Sequence, residues 1–144
     1  GGLLSWSYCE KHKIDIPNPG GGNLSRNLDE MRNLQDYVRL SFTTEHPMMY
    51  VAMKDGRISN PVILRIDPSV VYLQHTMYAD MNATTTKRTP NIGKSLEDFK
   101  KIHFSTVKAH KHFDLDENER PYFQAEVMVM TFIPKKYIIN LDTF

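Results

Sequence analysis

Gln124 and Glu126, two residues apart, interrupt the otherwise apolar stretch RPYFQAEVMVMTFIP at residues 120–134. Read as one strand, the stretch projects both side chains to the same face, flanked there by Tyr122 and Met128. The other face carries Phe123, Ala125, Val127 and Val129 and reads as a core face, so the strand is expected to be central. A carboxylate in such a place costs several kcal/mol unless it is paired or hydrated by a cleft. Carboxylates held in this way cluster at sites of chemistry. A strand ending at a wet rim would explain the same residues, and taken alone they leave the two readings level.

Other clusters of reactive side chains are weaker. His103, His110 and His112 lie near Asp114 and Asp116, and a His-x-His pair on a strand can serve a metal. No second matched pair accompanies it and its flanks read as loop, so a solvated loop is the expectation and no metal is assigned. Lys100, Lys101, Lys108 and Lys111 fit either a phosphate-contacting patch or an ordinary wet helix face. No Ser-His-Asp order, Cys-His pair or Walker motif presents a nucleophilic or phosphoryl-transfer centre.

The elements that must position these residues read as a mixed α+β domain with five or six strands. With 144 residues, 40% hydrophobic and 24% charged, the chain suits one globular domain. No apolar run is long enough to span a bilayer. The single Cys9 excludes an internal disulfide and suits a reducing cytoplasm. A net charge of +1 argues against strong nonspecific binding to nucleic acid. The chain opens GGLLSWSYCE without methionine, and the expectation is a fragment or a processed chain. IPNPGGGN, at residues 16–23, reads as a flexible glycine-rich loop, with a short helix through Leu24, Leu28 and Met31 after it. YVRLSF reads as a strand with Val38, Leu40 and Phe42 on one face, and NPVILRI as a second, buried strand. EHPMMYVAMKDG reads as a helix between Pro47 in its first turn and Gly56 at its stop. SLEDFKKIHF reads as a helix opened by a Ser95–Asp98 capping pair.

Several of these stretches carry a family resemblance, in order and over nearly the whole chain. YVRLSFTTEHPMMY, NLSRNLDEMRNLQDY, ADMNATTT and QAEVMVM followed by IPKKYI resemble successive segments of the DarT-type DNA ADP-ribosyltransferase toxins. GGLLS resembles the end of that family's opening helix. The resemblance implies an ADP-ribosyltransferase-like α+β fold, a mixed, mostly antiparallel central sheet with flanking helices, in a single domain over residues 1–144 that is N-terminally incomplete. It also implies NAD as co-substrate, no metal, and a nucleobase of single-stranded DNA as acceptor. Glu126 would be the catalytic residue on the nicotinamide side, with Gln124 facing the acceptor. Breaking the nicotinamide–ribose bond builds positive charge on the sugar, and a fixed carboxylate on a ribose hydroxyl stabilises it most in the transition state.

By the same resemblance Arg26 would hold the dinucleotide in line, with Gly2, Leu4 and Met49 as further cofactor contacts. His46, Arg120 and Lys111 would face the DNA, with Phe113 and Tyr122 as candidate stacking residues. His46 stands where many family members have an arginine. A cytoplasmic toxin or phage-defence effector, checked by an antitoxin of the ADP-ribosylglycohydrolase type and without a membrane, completes the picture. A catalytically silent module that binds nucleic acid or a partner protein is the rival reading. A tRNA 2′-phosphotransferase would need several basic residues around a phosphate, and no such set is assigned from this sequence.

Overall fold

The structure, a computed structural model, describes residues 1–16 and 23–144. The glycine-rich loop expected at residues 16–23 therefore falls, apart from its two end residues, outside the described part. The backbone packs as two units. The first gathers Gly1–Val38, Val62–Thr76 and Val129–Phe144, and the second Arg39–Pro61 and Met77–Met128.

The first unit opens with strand β1 (Gly2–Leu4) and helix α1 (Trp6–Lys11). GGLLS is thus a strand and a cap rather than the end of a helix. Ser5 is buried and its hydroxyl accepts the Tyr8 N–H at 3.3 Å, which satisfies one of the open donors of the helix start. β1 pairs antiparallel with β6 (Phe132–Pro134), setting Gly2 opposite Pro134 and Leu3 opposite the fully buried Ile133. Gly2 is required by close approach: a Cβ there would collide with the carbonyl oxygen of Ile133. Helix α2 (Asn23–Met31) joins α1 through a hydrogen bond from the Trp6 indole to the buried Asp29 at 3.1 Å.

NPVILRI does not form the expected buried strand. Val62 and Ile63 are exposed, and the stretch contributes an isolated antiparallel bridge, Ile66 to Ile138. The side-chain amide of Asn140 takes the place of a neighbouring strand. It accepts the Arg65 N–H and donates to the Ile63 carbonyl, each at 2.8 Å.

In the second unit, β3 (Met77–Ala79) pairs antiparallel with β4 (Ile92–Gly93) and with β5 (Glu126–Met130), setting Ala79 opposite Glu126. With β2 (Tyr37–Ser41), the sheet order is β2-β5-β3-β4. Helix α3 (Pro47–Lys54) begins at Pro47 and stops before Gly56, whose φ is +75°, as expected. Helix α4 (Leu96–Lys100) carries the expected capping box of Ser95 and Asp98. It ends sooner than expected, and a separate short helix, α5 (Phe104–Val107), follows. Ile102, Val107 and Ala125 form a buried cluster on which Phe42, Tyr78, Phe99 and Phe104 pack. These strands and flanking helices make the α+β architecture that was expected.

The single long strand expected at residues 120–134 is three elements. Arg120–Gln124 is a 3-10 helix, because Pro121 cannot donate to a ladder and suits a helix start. At the other end Thr131 turns the chain with φ +67°, rare for a β-branched residue. Two backbone hydrogen bonds hold it, its N–H to the Asp36 carbonyl at 2.6 Å and its carbonyl from the Ser5 N–H at 2.8 Å.

Candidate active site

Glu126 opens β5 and is 8% exposed, so the carboxylate is buried and the wet-rim reading is wrong. Its counter-charge is Arg39, from the middle of β2. The guanidinium forks onto the carboxylate, Nε to Oε1 at 3.0 Å and Nη2 to Oε2 at 2.7 Å. The turn after β3 adds a third donor, the backbone N–H of the fully buried Ala83, to Oε2 at 2.8 Å. Charge-assisted bonds of this kind are the strong ones, and together they offset the cost of burying the carboxylate. The same turn holds the guanidinium. Asn82 Oδ1 accepts from Arg39 Nη2 at 2.9 Å, and the Thr84 hydroxyl lies 3.4 Å from Nη1 and Nη2. Asn82 also accepts from the N–H and hydroxyl of Thr84, which locks the turn.

His46 caps α3: its Nδ1 accepts the Met48 N–H at 3.1 Å. The neutral ring therefore carries its proton on Nε2 and presents a donor. Burial pushes its pKa below the ordinary histidine value. Glu126 pulls it up, and Arg39 and His112 push it further down. His112 is lowered as well, first by burial and then by Arg120, and its buried Nδ1 has no hydrogen-bond partner among the described residues.

Both imidazoles bind a proton more readily in the unfolded chain, so their neutral forms contribute stability that is complete above the ordinary value near 6.5. That stability is lost as the pH falls from there through the depressed folded values. Urea unfolding at pH 7.5 and 5.5 should show the wild type weaker at the lower pH. His46→Asn, which keeps a capping side chain but cannot titrate, should show a smaller loss. An identical loss in both proteins would remove His46 from this account.

Several residues singled out in the sequence sit elsewhere. Gln124 ends the 3-10 helix and is half-buried; it does not share a strand face with Glu126 as expected. Arg26, in the first unit, pairs with Glu10 at 3.2 Å and lies over the Trp6 ring at 5.2 Å. Gly2 and Leu4 belong to β1, also in the first unit. Met49 is half-buried in α3. Arg120 donates to the Leu115 carbonyl at 3.2 Å and lies over the exposed Phe113 ring at 5.6 Å, and Lys111 is exposed at the start of a 3-10 turn. Tyr122 stacks on His103 at 3.7 Å, and His103 in turn meets Glu119 at 2.9 Å. Among the described residues no group of three or more His, Cys, Asp or Glu side chains is placed to hold a metal ion.

Arg39 and the Asn82–Thr84 turn were missed as partners of Glu126. A signal for Arg39 was present. It stands mid-strand on the face opposite Val38, Leu40 and Phe42, and a strand cation raises the same question as a strand carboxylate.

The profile of the family described as "ssDNA thymidine ADP-ribosyltransferase, DarT" matches residues 1–143. The chain belongs to the DarT family. Its class as an ADP-ribosyltransferase of single-stranded DNA, expected from the resemblance, is that of the family. No curated protein matches the sequence. Among solved structures, the chain is similar to Thermus sp. 2.9 DarT in complex with ADP-ribosylated ssDNA, at a TM-score of 0.68 and 18% identity. It is similar to the same protein in complex with NAD+, at 0.62 and 19%, and with carba-NAD+, at 0.60 and 18%. Each match covers 96% of this chain and 70% of the other. At that identity the likeness shows the DarT fold, which is the ADP-ribosyltransferase fold expected. Among the described residues of this DarT-family chain, no helix is long and apolar enough to cross a membrane.

Proposed function

We propose that this chain transfers ADP-ribose from NAD+ to thymidine in single-stranded DNA, with Glu126 as the catalytic carboxylate. The observation that carries the reading is a buried carboxylate kept in one orientation by three donors, in a member of a family of thymidine ADP-ribosyltransferases. Such a group meets the chief demand of the reaction. As the nicotinamide–ribose bond lengthens, the sugar becomes cationic, and a carboxylate bonded to a ribose hydroxyl stabilises that charge without having to reorganise. Nicotinamide departs with the bonding electron pair, a nucleophilic atom of the base bonds to the sugar carbon, and the base gives up its proton.

Arg26 is assigned to the phosphates of the dinucleotide. Its pair with Glu10 is exposed enough to be worth about 0–1 kcal/mol and would not hold the guanidinium back. Gly2, Leu4 and Met49 are retained as cofactor contacts, and Gln124, His46, Arg120 and Lys111 as contacts to DNA. His46 would act as a donor to a carbonyl, in keeping with its Nε2–H. The enzyme is further proposed to be a cytoplasmic toxin or phage-defence effector, answered by an antitoxin that removes the modification.

The test is mass spectrometry of short single strands, with and without thymidine, after incubation with NAD+. An ADP-ribose adduct confined to strands with thymidine is the expected outcome. An adduct on the strands that lack it would overturn the choice of base. No adduct on any strand would overturn the activity and favour a silent binding module.

A further inference from the structure

We propose that Arg39 is a positioning residue for Glu126, and that it dictates which carboxylate oxygen meets the substrate. The inference rests on Glu126 being the catalytic carboxylate. An ionised carboxylate offers about four acceptor positions, two on each oxygen. Oε2 uses both, on Arg39 Nη2 at 2.7 Å and the Ala83 N–H at 2.8 Å. Oε1 uses one, on Arg39 Nε at 3.0 Å. Among the described residues one position remains, on Oε1, and a ribose hydroxyl would be taken there.

The fork does more than neutralise. Two parallel bonds from one planar group fix the plane of the carboxylate, so the open lone pair of Oε1 points one way only. The plane of the fork is fixed in turn by the turn after β3. Asn82 Oδ1 holds Nη2 at 2.9 Å, and the Thr84 hydroxyl, itself bonded to Asn82 at 2.9 Å, lies beside both terminal nitrogens. The chain of support runs from the turn to the guanidinium to the carboxylate. It lies entirely within the second unit, and Asn82, Thr84 and Glu126 are brought from distant points of the sequence to one arginine.

A lysine at this position would keep the charge and lose the fork, since an ammonium is a point donor that fixes no plane. Loss of orientation, rather than of binding, is the consequence. Arg39→Lys should lower kcat for ADP-ribose transfer by roughly 10²-fold, the cost of a misaimed catalytic group, while KM for NAD+ stays within about threefold. Arg39→Ala should lose more, and methylguanidinium added to it should restore part of kcat. A purely structural role predicts no such rescue.

The experiment measures kcat and KM for wild type, Arg39→Lys, Arg39→Ala with and without methylguanidinium, and Glu126→Gln, with thermal melts on the same samples. The proposal stands if kcat falls at constant KM in Arg39→Lys and the additive revives Arg39→Ala. It is overturned if Arg39→Lys retains kcat, or if KM rises while kcat holds, which would make Arg39 a direct NAD+ contact. If Arg39→Ala proves unfolded by its melt, the kcat and KM of Arg39→Lys decide the matter alone. An active wild type with Glu126→Gln unaffected would instead overturn the role of Glu126, and the inference with it. A wild type without transfer would overturn the proposed activity itself, and the inference falls with that too.

Discussion

Glu126→Gln should lower ADP-ribose transfer by about 10²–10³-fold, the usual loss when one aimed electrostatic group is removed from a closed site. The carboxylate sits at the start of β5 with, among the described residues, a single acceptor position open, and the amide that replaces it carries no negative charge to set against a cationic sugar. The structure adds a consequence for stability that a wet carboxylate would not have. Arg39 is left with an amide in place of its counter-ion, and part of its donor set goes unsatisfied in a largely buried place, at about 1–3 kcal/mol. Transfer to a thymidine strand and urea unfolding, measured on one preparation, separate the two effects. Activity lost in proportion to folded protein would mean that Glu126 acts only through the fold. A fully folded protein with unchanged kcat would end its candidacy altogether.

Phe123→Ala should cost about 3–5 kcal/mol of stability, the range for deleting a large buried aromatic side chain. Phe123 has no exposed surface and is among the largest side chains so enclosed. It lies in the 3-10 helix that leads into β5, three residues before Glu126, and its ring neighbours that of His112 at 6.0 Å. The cavity would therefore open beside the point where the chain enters the site, and transfer should fall along with stability. Leu24→Ala is the control, since Leu24 is 73% exposed and its loss should be within about 0.5 kcal/mol of zero. Denaturant midpoints with unchanged slopes would give both numbers. A cost below about 1 kcal/mol for Phe123→Ala would mean that the segment before β5 is not held by its packing.

The sequence by itself determined the class of the fold and two of its helix starts, and it singled out Glu126 as the candidate catalytic carboxylate. Pro47 and Gly56 bracket α3, and Ser95 with Asp98 opens α4, because capping and φ restrictions act within a few residues of each other. The core face of Phe123, Ala125, Val127 and Val129 was equally legible, and all four are buried. Glu126 drew attention because a carboxylate in an apolar stretch needs an explanation wherever the chain goes next. The ordered segments shared with the DarT family added the chemistry, and the family match is consistent with it.

What surrounds Glu126 was decided only by the tertiary structure. Its partners come from β2 and from the turn after β3, and contacts between distant stretches leave no period or spacing in the sequence. Arg39 could have been questioned as a charge inside a strand, but nothing local joins it to Glu126 rather than to solvent. The break at Pro121 was readable in principle, yet the apolar run on both sides outweighed it, and Gln124 was therefore placed on the wrong element. NPVILRI failed for the opposite reason. Its residues suit a strand, but a strand needs a neighbour, and Asn140, 75 residues beyond Arg65, satisfies that backbone with a side chain instead.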